Sequence, residues 1–293
     1  MTEYLRPGIH DDIPAERYHG DPCPEPSLSA GVAHRLISQS PLHARAHHPR
    51  LNPSFKDEQK AILDFGSAAH ALLLQGLDIC EVVEADDWRT KTAKEARDAA
   101  RKSRLIPLLR KDWARMVELV ETVKERLSHF DVAPLPFRDG KPEQTLVWKE
   151  DSVWCRARID WLHDDGDVID DAKSTGTSAS PFLWARNRLF ADGKDIQAVH
   201  YLAGLRALTG VDATWRFVVF ETEAPYGLSV ISLAPSAVEL AERKRARALE
   251  LWKRCMDSGE WPGYPSEVAY AEAPPWESER FLEAHYEDVA VAS

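Results

Sequence analysis

A chain of 293 residues, 44% hydrophobic and 29% charged, can bury one sizeable core with a helical appendage and reads as a globular protein. No apolar run reaches the roughly 18–20 residues of a membrane span, and the polar start is not a signal peptide, so a cytoplasmic protein without a membrane partner is expected. A net charge of -11 argues against a surface that attracts polyanions as a whole, and four scattered cysteines (Cys23, Cys80, Cys155, Cys255) argue against a zinc site or a disulfide framework.

In chain order, residues 1–28 read as irregular and rich in Pro. A short helix follows near Ser29–Ser38, with Ser29 as its N-cap. Residues 61–76 are apolar nearly all round and predict a buried helix. His70 lies in it, and a lone histidine there reads first as a satisfied core residue. A long charged helical region is expected from Thr92 to Phe130, interrupted near Pro107. Strands follow at 144–150, 152–162 and 166–173, then helices at 180–191 and 194–209. Two further strands are expected at 215–221 and 228–234, a helix at 236–257, and a Pro-rich tail. Strands framed by helices give an α/β fold with a mixed central sheet.

The segment from Val153 to Lys173 carries the chemistry. Asp164, Asp165 and Gly166 suit a tight turn, so the two strands around them predict a hairpin. Alternation puts Val153, Cys155, Ala157, Ile159 and Trp161 on one apolar face, and Trp154, Arg156, Arg158 and Asp160 on the other. In the next strand Ile169, Asp171 and Lys173 share a face, while Asp170 and Ala172 take the opposite one. Asp171 and Lys173 can therefore point at a common site, Asp170 should not, and loss of Asp170 is expected to be mild. Two carboxylates and an amine are what a magnesium-dependent phosphodiesterase needs: oxygen ligands for the metal and a cation beside the phosphate. Gln197 and Tyr201, four apart on a predicted helix, stack on one face. There they could bond phosphate oxygens or hold the lysine. Glu143, just ahead of the first of these strands, is by itself a surface carboxylate.

Together these residues resemble the PD-(D/E)xK nuclease superfamily, and within it the exodeoxyribonuclease VIII (RecE-like) nuclease domains of phages and prophages. Pro7-Gly-Ile-His10, Glu16-Arg-Tyr-His19, Ser27-Leu-Ser29 and Ser40-Pro-Leu-His43 resemble that family's amino-terminal pattern, Gly66-Ser-Ala-Ala-His70 its histidine motif, and Trp252 through Pro265 its closing segment. The resemblance implies a restriction-endonuclease-like core with a mixed sheet flanked by helices. It implies a single nuclease domain over 1–293: a mainly helical part to 135, a catalytic core over 136–262 and a Pro-rich acidic tail over 263–293. His70, Asp160, Asp171 and the Ala172 carbonyl match the metal-site positions, Lys173 the catalytic lysine, Glu143 an acidic position ahead of the first strand, and Gln197 and Tyr201 the Gln-x-x-x-Tyr motif. Also implied are Mg²⁺, with Mn²⁺ as a substitute, digestion of double-stranded DNA ends from 5′ to 3′, a ring-shaped homo-oligomer and a single-strand annealing recombinase as partner. A related endonuclease or single-strand nuclease, and a non-catalytic DNA-binding or assembly protein of the same fold, stay open. For DNA engagement by an acidic chain, the basic run Arg89–Lys111 is the expected local positive surface, with Arg45 and Arg50 beside it and the Arg156–Arg158 strand as an alternative path.

Overall fold

The computed structural model describes residues 4–55, 65–76, 79–103 and 105–286. The expected helix over 61–76 therefore lies partly outside the described residues. Contacts divide the chain into two units, Met1–Pro262 and Gly263–Ser293.

The first unit is built on a six-stranded sheet. Its strands are β1 (Gly8–His10), β4 (Gly140–Glu150), β5 (Val153–His163), β6 (Val168–Thr175), β7 (Thr214–Glu221) and β8 (Leu228–Ile231), in that spatial order. Only β6 and β7 run parallel; every other pair is antiparallel. The sheet is mixed, as expected. A parallel pair needs a crossover, and the chain from β6 to β7 supplies one through α7 (Pro181–Trp184), a π-helical turn at Ala185–Leu189 and α8 (Lys194–Thr209).

Strand alternation divides the core in two. Ala157, Ile159, Ile169, Phe217 and Val219 face one side, where they pack with α2 (Ala30–Ser38), α8 and α9 (Pro235–Ser258). Ala172, Val218 and Phe220 face the other, against α4 (Phe65–Gln75) and α6 (Arg110–Leu127). Gly204 lets α8 lie close on the sheet: a Cβ there would meet the Trp148 ring at 2.6 Å. Ser29 caps α2, accepting from Val32 N at 3.4 Å, as its position predicts.

Three regions depart from the sequence reading. The amino-terminal stretch contributes β1, paired with β4 through Ile9↔Leu146, and α1 (Ala15–His19). Three residues are too few to display a period. The interruption near Pro107 is a strand, β3 (Ile106–Leu109), paired in parallel with β2 (Cys80–Val83) in a two-stranded sheet. Both strands there are edges, so a proline without an N–H is tolerated. The basic residues before it form α5 (Lys91–Lys102). In the second unit the expected Pro-rich tail contains α10 (Pro275–Tyr286). Among the described residues no helix is long and apolar enough to cross a membrane.

A buried polar cluster ties the amino-terminal segment to β5. The Asp21 carboxylate accepts from Ser27 N at 2.9 Å and Ser27 Oγ at 2.7 Å, and pairs with Arg156 at 3.2 Å and His48 at 3.3 Å. His48 Nδ1 accepts from Arg50 N, which assigns the proton to Nε2, the nitrogen facing Asp21. Arg50 is spent on the Cys23 and Pro24 carbonyls, and Arg156 on Ser27. These two arginines hold the fold together rather than offering a surface for DNA.

Burial alone would raise the Asp21 carboxyl, but the His48 and Ser27 hydrogen bonds and the Arg156 charge outweigh it and hold it at about 2. A depressed folded-state value stabilises the protein above the unfolded value of about 4, and the contribution is lost as pH falls toward 2. Asp21 has φ 65, which asparagine also adopts. Asp21→Asn should therefore destabilise the protein by about 3–5 kcal/mol at neutral pH by stranding Arg156. The gap from wild type should shrink between about pH 4 and pH 2. Urea unfolding at a series of pH values measures both.

Candidate active site

The site forms where two strands part. β5 and β6 pair at Trp161↔Asp170 and Leu162↔Ile169, and the ladder ends there. The next inward N–H on β6, that of Ala172, donates to Asp160 Oδ2 at 2.9 Å instead of to a β5 carbonyl. His70 Nε2, from α4, meets the same oxygen at 2.9 Å. His70 is thus a partner of Asp160 rather than a satisfied core residue. Burial would raise the Asp160 carboxyl, yet the His70 and Lys173 charges and these two hydrogen bonds hold it down at about 2. Burial works against the His70 imidazolium in turn, but the Asp160 carboxylate overcomes it and raises the imidazole above its ordinary range.

Asp171 and Lys173 lie on the α8 side of β6. Gln197 Nε2 donates to Asp171 Oδ1 at 2.9 Å, and the Lys173 Nζ forms an ion pair with Oδ2. That Oδ2 is buried and receives no well-aligned hydrogen bond. Burial and the neighbouring Asp160 charge push the Asp171 carboxyl up, against the pull of Lys173, to about 6. Burial works against the Lys173 ammonium too, but Asp171 and Asp160 together keep its proton bound more firmly than usual.

Gln197 therefore steadies a carboxylate, not the lysine. Tyr201, one turn on, packs edge-on against Trp215 and bonds the Tyr18 hydroxyl. Burial pushes its own hydroxyl well above the phenol range. The structure adds Lys194, the first residue of α8 and one turn before Gln197. Burial and the Lys173 charge lower its pKa, while Asp171 draws it the other way. Its i, i+3 spacing from Gln197 was the readable signal.

Glu143 sits within β4, which begins at Gly140, rather than ahead of it. It falls opposite Asp160 in the β4–β5 register, between the pairs Pro142↔Trp161 and Gln144↔Ile159. Its φ of 56 is left-handed, uncommon for a non-glycine residue and costing on the order of 1–2 kcal/mol. Its carboxylate pairs with Arg158 and accepts from Gln75 Nε2 at 3.4 Å. Arg158, like Arg156, is thus already engaged.

Asp170 faces away from all of this. Its carboxylate meets His163 Nε2 at 2.7 Å, Arg216 Nε at 2.6 Å and the Phe137 N–H at 3.1 Å. The alternation that turns it away is as expected, but a mild role is not. It neutralises a buried arginine, and its carboxyl is held low by His163 and Arg216 against the effect of burial. The basic run is also more neutral than its composition suggests: Arg89 pairs with Asp87, Lys91 with Glu95, Arg97 with Asp98 and Arg110 with Glu84.

The donor set fits a hard divalent cation. Two carboxylates and a backbone carbonyl are oxygen ligands of the kind Mg²⁺ takes, with waters completing the shell. Asp171 Oδ2 is a buried acceptor partnered by the Lys173 ammonium, a contact that can rearrange around a bound cation. Among the described residues no three His, Cys, Asp or Glu side chains already form a metal-binding group. The ligands are instead held by one another, Asp160 by His70 and Asp171 by Lys173.

A mixed sheet flanked by helices, with an Asp160, Asp171-Ala-Lys173 constellation where two strands diverge, defines the PD-(D/E)xK class of α/β domain. A family model described as a PDDEXK-like domain of unknown function (DUF3799) matches residues 33–274, and the chain belongs to that family. Among solved structures, that of a "Putative exonuclease" from Eubacterium rectale gives a TM-score of 0.55 at 11% identity, covering 95% of this chain and 100% of its own. SSO0001 gives 0.34 at 9% identity, over 93% and 91%. A phage related exonuclease from Haemophilus somnus 129PT gives 0.29 at 16% identity, over 66% and 95%. The first is a likeness of fold; the other two are too distant to carry an argument. No curated protein matches the sequence.

The neighbouring carboxylates should answer oppositely to amide substitution. Asp170→Asn strands Arg216 and His163 and should cost about 3–5 kcal/mol of stability. Asp171→Asn removes a carboxylate that burial already disfavours, so the midpoint of denaturation should stay level or rise. Denaturant unfolding of the two variants compares them directly, and the reverse order would mean that the strand faces have been exchanged.

Proposed function

We propose that this chain is a divalent-metal-dependent nuclease acting on DNA phosphodiester bonds, and specifically an exonuclease that works from the ends of linear duplexes. The observation that carries the reading is the convergence of Asp160, Asp171 and Lys173 at the gap between β5 and β6, with one Asp171 oxygen buried and paired with the Lys173 ammonium. Asp160, Asp171 and the Ala172 carbonyl would hold Mg²⁺, or Mn²⁺ in its place, with His70 beside them and Glu143 further out. When bound, such an ion lowers the pKa of a coordinated water and offsets charge on the leaving oxygen.

The chain's own residues divide the remaining work. The Lys173 ammonium, held protonated by two carboxylates, suits donation to the attacking water and to the non-bridging phosphate oxygens more than proton removal. Gln197 holds Asp171 through Oδ1 and leaves Oδ2 to the Lys173 ammonium. Tyr201 and Tyr18 brace that face of the site. In the reaction the water oxygen bonds to phosphorus as the bond to the leaving nucleotide oxygen breaks. The leaving oxygen takes up a proton and the water gives one to solvent.

Polarity from 5′ to 3′, release of a 3′ single strand to an annealing recombinase, and assembly as a ring around DNA belong to the same proposal. They rest on the resemblance to RecE-like domains, not on this chemistry.

End-labelled linear duplex should be degraded in Mg²⁺ while a covalently closed circle persists. Lys173→Ala should lose about 10²-fold or more in rate yet still bind Mg²⁺ by calorimetry, whereas Asp171→Ala should lose metal binding. Nicking of the circle at a comparable rate would make the protein an endonuclease. Absence of cleavage on both substrates would leave a binding or assembly protein.

A further inference from the structure

The crossover from β6 to α8 begins and ends at the candidate site. It leaves Lys173 on β6 and returns through Lys194 and Gln197, and Gln197 closes the circuit on Asp171. Between them the chain makes α7 and a π-helical turn, a widened form that recurs at functional positions. From inside, this segment is anchored by Trp184, which is buried against the Phe217 ring at 5.2 Å, and by buried Leu189. Its approach is fixed by Ala179 N donating to Glu221 Oε1 at 2.8 Å.

The outer face is unlike an ordinary solvated turn. Phe182 is 70% exposed, Leu183 43% and Phe190 39%. Arg186, exposed and four residues from each phenylalanine, forms no ion pair among the described residues. The Phe190 ring already carries the Lys244 Nζ at 5.2 Å, that lysine is paired with Asp195, and Arg188 is paired with Asp192. In a chain of net charge -11 this leaves an exposed ring, Phe182, beside an exposed cation, Arg186, on a segment continuous in sequence with the site at both ends.

Resting on the nuclease reading above, we infer that the exposed face of Phe182–Phe190 is a stacking platform for the bases of one DNA strand beside the reacting phosphate, with Phe182 as the stacking ring and Arg186 on the strand's backbone. The argument for a single strand is steric. Within a duplex every base face but that of the terminal pair is covered by its neighbours, so an exposed ring can stack along a single strand but on a duplex only at its very end. The argument for nucleic acid is the pairing of the exposed Phe182 ring with the exposed Arg186 guanidinium, which suits a phosphodiester chain with exposed bases. The platform would favour a frayed or unwound end over an intact helix.

The test uses the full chain in EDTA with two probes: a single-stranded oligonucleotide carrying 2-aminopurine and a blunt duplex of the same sequence. Wild type should bind the single strand more tightly and change the 2-aminopurine fluorescence. Phe182 is exposed, so Phe182→Ala should fold normally and weaken single-strand binding about fivefold or more, with little effect on the duplex. Phe182→Trp should retain binding. Arg186→Ala should reduce the salt slope for the single strand by about 0.7.

Unchanged single-strand affinity and fluorescence in Phe182→Ala would overturn the platform and leave the nuclease reading intact. So would a loss of self-association by light scattering with DNA binding unaltered, since the face would then be a protein interface. A wild type that binds single strands on this face but cleaves nothing in Mg²⁺ would overturn the nuclease reading and support the platform.

Discussion

The geometry of the candidate site depends on one hydrogen bond, from the Ala172 N–H to the Asp160 carboxylate. Had the β5–β6 ladder continued past Trp161↔Asp170, that N–H would have been taken by a β5 carbonyl and the gap would have closed. Because a side-chain carboxylate replaces the backbone acceptor, the strands separate while the buried donor stays satisfied. The same carboxylate draws in His70 from α4, so the helix on one face of the sheet is tied to the strand gap. On the other face, Gln197 ties α8 to Asp171. Each helix contributes one hydrogen bond to one acidic residue, and the candidate site sits between two packed layers.

The gap concentrates charge that the fold alone would not tolerate. Asp160 and Asp171 share a buried space with Lys173, and His70 stands against Asp160 alone, so the consequences are unequal. Asp160 has two donors and stays strongly acidic, whereas Asp171, buried beside the Asp160 charge, binds its proton more tightly. Like charges that cannot both be satisfied mark a place where a cation is missing its partner or a proton must be held. Asp170, one residue away, shows the contrasting solution. Its carboxylate is completed by Arg216, His163 and a backbone N–H, and it serves the fold.

Alternation was enough to separate Asp170 from Asp171, because a strand's two faces follow directly from sequence order. Helical spacing was enough to put Gln197 and Tyr201 together. Their partners were not readable, since Asp171 and Tyr18 reach them only after the crossover and the amino-terminal segment have folded. The Asp21 cluster is the clearest case: Ser27, His48 and Arg156 come from three separate segments, and no local pattern joins them. β1 and the β2–β3 pair were missed because strands of three and four residues carry almost no period and owe their existence to a neighbour. The amino-terminal words that resemble the RecE-like family prove to be structural in part. Ser27 supports Asp21, and Ser29 and Ser40 each accept from the first turn of a helix.

The central claim is that the β5–β6 gap is a divalent-cation site held by Asp160 and Asp171. It is tested most directly by anomalous scattering from crystals of the protein soaked in Mn²⁺. The account predicts one strong anomalous peak between the two carboxylates and in contact with the Ala172 carbonyl, with the His70–Asp160 and Lys173–Asp171 contacts rearranged around it. No peak in the gap at saturating Mn²⁺, with Asp160 still bonded to His70 and Ala172, would contradict it.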